Sequence, residues 1–348
     1  MHVSDLKTRD GIMGILRSRW INSEPLIVST GDRERNNSIY VINRSLTDKP
    51  LLIDFWEYTC TNCIRTIPYL NEWHRRYADK GLVIIGVHTP EFSVTSDRKS
   101  LEHAIRKLGI AYPVVMDNDY GFWTAFHNEY WPRKVLFNSR LEIVYDQAGE
   151  GGYADLESKI QHALLESSPG LPLPGIMEPV RDTDVPGTRS YPITPALHFG
   201  FVRGKIGNAG GYNRDSEPVV YTLPEQPQED TVYLQGTWAA TEESAIATTV
   251  PSCITLTCRT AGIDAVMASP GDHTIKVYVL IDGIPVDGRS CGKDVLFDDD
   301  GSYVPVREPG LYNITKDQPY RKSTLTLSPD SIALEMFALT FVSSVEPN

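Results

Sequence analysis

Two cysteines separated by two residues are the part of this sequence best suited to chemistry. Cys60 and Cys63 follow an apolar run at positions 51–53 and stand at the start of a predicted helix. The unpaired N–H groups and partial positive charge of a helix start favour a thiolate, and they can lower a cysteine pKa from about 8.5 toward about 7. We therefore predict that Cys60 is the exposed nucleophile and that Cys63 is the resolving thiol, which attacks the mixed disulfide.

The cysteine spacing alone does not separate a redox site from half of a zinc site. Asp54 lies six residues before Cys60 on an apolar strand, where a buried carboxylate is costly unless it has a partner or a function. Pro68 lies five residues after Cys63, where it removes a helical hydrogen bond and bends the axis. A strand-end carboxylate bonded to backbone and a purely structural disulfide stay open as alternatives at this point.

The stretch from residue 54 to residue 68 resembles the thioredoxin family. It shares the sequence D-F-W, the six-residue step to the first cysteine, the C-x-x-C pair and the helix proline. The resemblance implies that Asp54 is a buried proton acceptor for Cys63 and that Trp56 packs beside the disulfide. It also implies that the redox-active disulfide between Cys60 and Cys63 works without a bound cofactor or metal.

The other candidate site residues lie between the cysteines and in two later segments. Trp131-Pro132 precedes a predicted strand, and in thioredoxin folds a cis-proline there faces the disulfide and leaves the preceding backbone free for a substrate chain. A trans proline entering an edge strand is the alternative. Thr61 and Asn62 replace the Gly-Pro of thioredoxin between the cysteines, so no reduction potential is carried over. Glu150 is a candidate for tuning proton transfer, with a solvated turn residue as the alternative.

The order of predicted elements favours an α/β thioredoxin-like domain over residues 1–166. Continuous apolar runs are typical of central strands, and a strand, a helix and a second such strand make a crossover unit. An inserted helix and strand resemble the TlpA-like proteins of cytochrome maturation and the peroxiredoxins. Two short strands are predicted within residues 1–45. The remaining predictions are strands at 51–56, 82–87, 112–116, 135–137 and 141–145, and helices at 60–80, 96–108 and 155–165.

The second half of the chain has a different composition. Seven prolines between residues 167 and 195 indicate an extended linker. Beyond it, short strands separated by turn signals predict an all-β sandwich, a jelly roll, over residues 196–348. Ile275, Val277, Val279 and Ile281 alternate with other residues, which indicates one covered face. The predicted strands are 231–234, 245–249, 252–259, 263–268, 274–281, 311–315, 323–327 and 332–342.

Composition excludes some classes of partner. The 348 residues carry a net charge of −12 with no basic stripe, which argues against nucleic-acid binding. No apolar run approaches the roughly 20 residues that span a bilayer, and the first ten residues lack the features of a signal peptide. If the chain is full length, these observations predict a cytoplasmic protein.

Motifs along the whole chain resemble the soluble portion of DipZ-type proteins. They are WINSEPL, DFWEYTCTNC, VIIGVHTPEF and EYWPRKVLF, followed by YLQGTW, VYVLIDG, PGLYNI and ALEMFALTF. In that family a membrane segment precedes a thioredoxin-like domain that faces the cell exterior, and the trailing module looks like a carbohydrate-binding sandwich. The resemblance implies an extracytoplasmic location, a disulfide-bearing protein substrate, a membrane thiol electron carrier and a carbohydrate partner. This chain departs from it by having no membrane segment.

The aromatic residues of the β module have two interpretations. Trp238, Tyr212, Tyr233 and Tyr278 are candidates for stacking on sugar faces, and the alternative for each is a buried core position. We expect the remaining cysteines to be free and mostly buried. Cys253 and Cys258 are five positions apart, so on a regular strand they point to opposite faces and cannot bridge each other; Cys291 could pair with one of them.

Three further functions compete with thiol-disulfide exchange. A thiol peroxidase shares the helical insertion, but the Pro-x-x-x-Thr/Ser-x-x-Cys setting is absent. Ile53 stands seven residues before Cys60 in place of the proline, and Glu57 stands three residues before it in place of the threonine or serine. A binding protein would use the thioredoxin fold only as a scaffold for glycan or partner capture. A metal site joining the Cys60 pair to Cys253 and Cys258 requires two domains to meet across the linker.

Overall fold

The described residues form two compact units, with the division between Pro186 and Gly187. The computed structural model describes residues 48–346, except positions 272 and 317. The two strands predicted within residues 1–45 lie outside the described residues. The boundary between the units falls inside the predicted linker, and the predicted domain bounds stay a prediction.

The first unit is built on a mixed five-stranded sheet with the order β3-β2-β1-β4-β5. The three strands β1, β2 and β3 are parallel, whereas β4 and β5 are antiparallel to their neighbours. This arrangement brings the carboxyl ends of the parallel strands to one edge of the sheet. The strands are β1 (Leu51–Trp56), β2 (Val83–His88), β3 (Val114–Met116), β4 (Arg133–Phe137) and β5 (Ile143–Ala148).

Four helices accompany this sheet among the described residues. They are α1 (Thr61–Tyr77), α2 (Arg98–Lys107), α3 (Gly121–Ala125) and α4 (Tyr153–Ser167). Helix α1 ends at Tyr77, three residues before the predicted end, and Gly81 follows with a φ of +111°. Helix α3 was not predicted, because five residues are too few for a periodic pattern to develop.

Strand β1 is buried on both faces, which explains its unbroken apolar run. Leu52 and Trp56 pack into a cluster with residues of α1, α2 and α4. Leu51, Ile53 and Phe55 pack on the opposite face, in a cluster that includes Phe122 of α3. Each fully buried large apolar side chain stabilises the fold by about 1.5–3 kcal/mol. The strand that leads into the cysteine pair is therefore held rigidly from both sides.

The segment from residue 168 to residue 186 packs on the first unit, although it is largely irregular. Its backbone donates from Met177 to Glu157 Oε2 at 2.7 Å and from Val180 to Tyr69 Oη at 2.7 Å. Arg181 forms an ion pair with Glu150 at 2.9 Å. This part of the predicted linker is thus fastened to α1, α4 and the turn before α4.

The second unit is a large antiparallel β-sheet domain around one apolar core. Its main strand order is β14-β15-β12-β17-β10-β8-β9-β18-β11-β16. The strands are β6 (Leu197–His198), β7 (Val219–Tyr221), β8 (Val232–Ala240), β9 (Ala245–Ala247), β10 (Cys253–Thr260), β11 (Gly262–Ala268), β12 (Ile275–Ile281), β13 (Ile284–Pro285), β14 (Leu296–Asp298), β15 (Gly301–Val306), β16 (Gly310–Thr315), β17 (Arg321–Pro329) and β18 (Glu335–Val342).

Strand β8 connects the two halves of this sheet. Its first residues pair with β10, and its last residues pair with β7 and β9. The change of partner occurs at Gly236, which has a φ of +88° and lies so close to Ser252 that a side chain would collide with it. Glycine is the residue that adopts this conformation without strain.

All eight strands predicted for the β module are present. The alternation along β12 is confirmed, since Ile275, Val277, Val279 and Ile281 are buried and the residues between them are half-buried. Strand β8 is longer than predicted, and β6, β7, β13, β14 and β15 were missed. Most of these are only two or three residues long, so they have too little sequence to show alternation. The jelly-roll topology stays a prediction.

Candidate redox site

The cysteine pair lies where β1 ends and α1 begins. A turn follows the strand, in which the Cys60 backbone N–H donates to the Glu57 carbonyl at 3.2 Å. Cys60 is the N-cap of α1, and its sulfur accepts from the Cys63 N–H at 3.2 Å. A disulfide joins the two residues, with Cα atoms 5.2 Å apart. The sulfur of Cys60 therefore stands at the positive end of a 17-residue helix.

The two sulfurs differ in their access to solvent. Cys60 is half-buried, whereas Cys63 is only 1% exposed and belongs to the apolar cluster that contains Trp56. Between them, Thr61 is buried and Asn62 is exposed. This asymmetry lets an external thiol or disulfide reach Cys60 first.

Asp54 is buried on the same face of β1 as Trp56. It is 1% exposed, and its Oδ1 atom has no hydrogen-bond partner within residues 48–346. Burial raises the pKa of Asp54 to about 7, and the nearby charge of Lys134 opposes this rise. Its carboxyl group can therefore hold or release a proton near neutral pH.

Lys134 is a member of this site that sequence reasoning missed. It pairs directly with Asp54 across β4 and β1, so the two side chains lie on the same face of the sheet. The Lys134 side chain is fully buried, and its Nζ donates to the Gly149 carbonyl at 2.8 Å. Burial lowers the pKa of Lys134, while the charges of Asp54 and Glu150 oppose this. A lysine inside an apolar strand was the available signal.

The Trp131–Pro132 peptide bond is cis, as predicted. Trp131 is half-buried, packs against the cluster that holds Cys63, and donates from Nε1 to the Thr89 carbonyl at 3.0 Å. Its ring also lies 4.1 Å from that of Trp123 in α3. Helix α3 thus braces the segment before β4.

Glu150 lies between two arginines. Its carboxylate accepts from Arg65 of α1 at 3.1 Å and from Arg181 at 2.9 Å, and its side chain is 27% exposed. Arg181 also pairs with Asp184. Glu150 therefore links the helix that carries the cysteines to the segment 168–186.

Two of the four β-module aromatics are core residues. Trp238 and Tyr233 are 1% and 3% exposed, and Tyr212 packs against the core from a half-buried position. Tyr278 points away from the core, next to Tyr303 of β15. For Trp238 and Tyr233 the core alternative is therefore correct.

The other cysteines are free. Cys258 is buried, whereas Cys253 and Cys291 are half-buried, and the predicted opposite orientation of the first two is confirmed by the burial pattern of β10. No group of three or more potential metal ligands occurs in the part of the chain that the structure describes. Within the same residues, no helix is long and apolar enough to cross a membrane.

Comparisons with known proteins agree with the division of the chain into two units. Residues 48–143 match the family described as thioredoxin-like, and residues 194–341 match the thioredoxin-like C-terminal domain family. Protein DipZ of Mycobacterium tuberculosis is 33% identical over 299 residues, which cover 86% of this chain and 39% of that protein. Thiol-disulfide oxidoreductase YkuV of Bacillus subtilis is 28% identical over 144 residues, covering 41% of this chain and 97% of YkuV.

A thiol-disulfide isomerase from Corynebacterium glutamicum is a structural neighbour. It has a TM-score of 0.33 and 21% identity, and the match covers 35% of this chain and 84% of that one. The chain spans only 39% of the length of DipZ. The chain is DipZ-like, with a domain that matches the thioredoxin-like family followed by a β domain that matches the thioredoxin-like C-terminal domain family.

Proposed function

We propose that the chain exchanges electrons with disulfides of other proteins through Cys60 and Cys63. The observation that carries this proposal is the disulfide at the start of α1, in which one cysteine is half-buried and the other is sealed. A reachable sulfur followed by a protected one supports a two-step exchange. The relatives named thiol-disulfide oxidoreductases support the same reaction class.

In the reducing direction, the Cys60 thiolate attacks one sulfur of the substrate disulfide. A mixed disulfide forms, and the other substrate sulfur leaves as a thiolate. Cys63 then gives its proton to the ionised Asp54 carboxylate and attacks the Cys60 sulfur. This step re-forms the Cys60–Cys63 disulfide and releases the second substrate thiolate. Two electrons thus pass from the enzyme dithiol to the substrate, whose thiolates take up protons from water.

The other site candidates have supporting roles in this proposal. Trp56 covers the sealed cysteine, and Thr61 and Asn62 set the surface between the two sulfurs. Trp131 and Pro132 offer the surface on which a substrate chain lies, and Glu150 acts through its ion pairs.

Insulin reduction with dithiothreitol as the electron source tests the proposal. The variant Cys60→Ser is expected to lose the activity, because no thiol remains that can attack the substrate. Cys253→Ser is the matched control, since it removes a half-buried thiol of the second unit, and it is expected to retain wild-type turnover. Full activity of Cys60→Ser would show that the mechanism is wrong.

For the second unit we propose a carbohydrate-binding face on β12 and β15. The Tyr278 and Tyr303 rings lie 5.9 Å apart, and Lys276 Nζ is 4.7 Å from the Tyr303 ring centroid. Asp298 accepts from Lys276 at 2.7 Å and from the Tyr278 hydroxyl at 3.1 Å. Aromatic faces beside fixed polar groups suit sugar rings, which have an apolar face and a rim of hydroxyls.

Retention on an insoluble polysaccharide column tests this face. Tyr278→Ala is expected to shorten retention, whereas Tyr320→Ala, which removes a ring stacked on Tyr191, is expected to leave it unchanged. Equal retention of both variants and wild type would contradict the proposal.

The DipZ resemblance further supports a membrane thiol carrier as electron source and an extracytoplasmic location.

A further inference from the structure

A buried carboxylate lies directly beneath the loop that carries the nucleophile. Glu57 is 0% exposed although it is only three residues before Cys60. Its Oε2 atom accepts from the Thr59 backbone N–H at 2.6 Å and also from the Thr59 hydroxyl. Its carbonyl accepts from the Cys60 N–H at 3.2 Å. Glu57 therefore holds both the nucleophile and the residue before it.

A histidine from the neighbouring strand faces the other oxygen of this carboxylate. His88 is the last residue of β2, pairs with Trp56 of β1 and is 0% exposed. Its Nε2 atom lies 3.4 Å from Glu57 Oε1. Neither ring nitrogen has an aligned hydrogen bond within the described residues. The His88 ring stacks on Tyr58 at 5.3 Å and contacts the edge of Trp56, which leaves it little freedom to turn away.

The charged groups around Glu57 and His88 favour a positive charge on His88 that balances the negative charge of Glu57. A buried carboxylate carries a desolvation penalty even when it accepts hydrogen bonds, and an imidazolium beside it offsets part of that penalty. Lys134 on β4 is the nearby cation, but its Nζ donates to the Gly149 carbonyl and its charge interacts with Asp54 and Glu150. Two further ionisable side chains near the carboxyl ends of these strands are acidic. Asp54 is buried on β1, and Asp117 after β3 accepts from the Phe122 and Trp123 N–H groups and from Thr89. Neither can balance the charge of Glu57, whereas His88 Nε2 lies 3.4 Å from its Oε1 atom.

We propose that Glu57 and His88 form a charge-compensated positioning pair that sets the electrostatic potential at the Cys60 sulfur. Cys60 and Glu57 share one hydrogen-bonded turn, and the space between them is partly shielded from water, where charges interact more strongly than in solvent. An unbalanced carboxylate there would oppose the helix terminus and disfavour the thiolate. The imidazole cancels that effect, so the helix start can act on the sulfur. The inference rests on the proposed thiol exchange.

The acidity of Cys60 in the reduced full chain measures this effect. The rate of iodoacetamide addition is followed against pH, and mass spectrometry assigns the adduct to Cys60. His88→Gln is expected to lower the ratio of thiolate to thiol at pH 7 by about tenfold, which is one pKa unit. Adding Glu57→Gln to that variant is expected to restore it to within about threefold, because glutamine keeps an acceptor for Thr59 but carries no charge.

Restoration of the thiolate in the double variant would distinguish an effect of charge from an effect of side-chain shape. If the pair were only structural, the double variant would be at least as impaired as the single one, and that result would overturn the proposal. A His88→Gln value within twofold of wild type would also overturn it. His74→Gln is the matched control, since it removes another partly buried histidine of the same unit, and it is expected to change the thiolate fraction by less than twofold.

A second variant keeps the test decisive if His88→Gln does not fold. Glu57→Gln alone is then expected to raise the thiolate fraction above wild type, whereas an unchanged or lower fraction would overturn the proposal. Alkylation of Cys60 does not depend on any substrate reaction. A wild-type protein that fails to reduce insulin would refute the proposed function, whereas the alkylation series decides the role of Glu57 and His88 separately.

Discussion

Asp54→Asn is predicted to stabilise the folded protein at alkaline pH. Burial raises the pKa of Asp54 from the ordinary 3.8 to about 7. Between these values the folded protein keeps a proton that the unfolded chain has lost. The free energy of unfolding therefore falls as the pH rises from about 4 to about 7, and the loss is complete above that range.

The size of the effect follows from the difference between the two pKa values. That difference is 7 − 3.8, or about 3 units, and each unit is worth about 1.4 kcal/mol. The ionised carboxyl group thus destabilises the fold by up to about 4 kcal/mol at pH 8. Asparagine has nearly the same shape and no charge, so it removes this penalty. Removing the negative charge also leaves Lys134 buried without a counter-ion, which makes about 4 kcal/mol an upper bound.

Urea unfolding of the oxidised protein at pH 4.5 and pH 8 measures the gain. We expect Asp54→Asn to raise the free energy of unfolding by about 2–4 kcal/mol at pH 8 and by far less at pH 4.5. Asp79→Asn is the control, because its side chain is 75% exposed, and it should change stability by less than about 0.5 kcal/mol at either pH. An equal gain at both pH values, or a loss at pH 8, would refute the assignment of a buried, ionisable Asp54.

Three further predictions concern residues around this site and in the β domain. Lys134→Met removes the positive charge that opposes the raised pKa of Asp54, so the pH profile of insulin reduction should shift to higher pH; a shift to lower pH would contradict this. Arg181→Ala breaks the ion pair with Glu150 and should expose the segment 168–186 to limited proteolysis at least several-fold faster than in wild type. Gly236→Ala combines a φ of +88° with a steric collision and should destabilise the second unit by more than about 1 kcal/mol in thermal unfolding.

The elements around the cysteines could be predicted because they are organised locally. Strand β1 is covered on both faces, so it appears in sequence as a continuous apolar run. Helix α1 begins at the cysteine pair, and its first turn is determined by residues that are adjacent in sequence. The β-domain strands with one covered face showed their alternation in the same direct way, as β12 does.

The missing parts of the site depend on contacts between distant residues. Lys134 faces Asp54 only because β4 pairs with β1 in one particular register. Glu57 and His88 meet only because their strands lie side by side, and the sequence places them 31 positions apart. Lysine, glutamate and histidine are common at protein surfaces, so their type alone does not mark them as buried, and only the apolar strand around Lys134 gave a signal. The folding of residues 168–186 onto α1 was also hidden, because their composition is typical of a linker.

Trapping of the mixed disulfide tests the central claim most directly. Reduced Cys63→Ser protein, mixed with intact disulfide-bonded insulin and analysed by mass spectrometry, is predicted to accumulate a covalent adduct on Cys60, because the resolving thiol is gone. The matched variant Cys60→Ser is predicted to give no adduct, since Cys63 is only 1% exposed. An adduct on Cys63 in the second variant, or none on Cys60 in the first, would contradict the account.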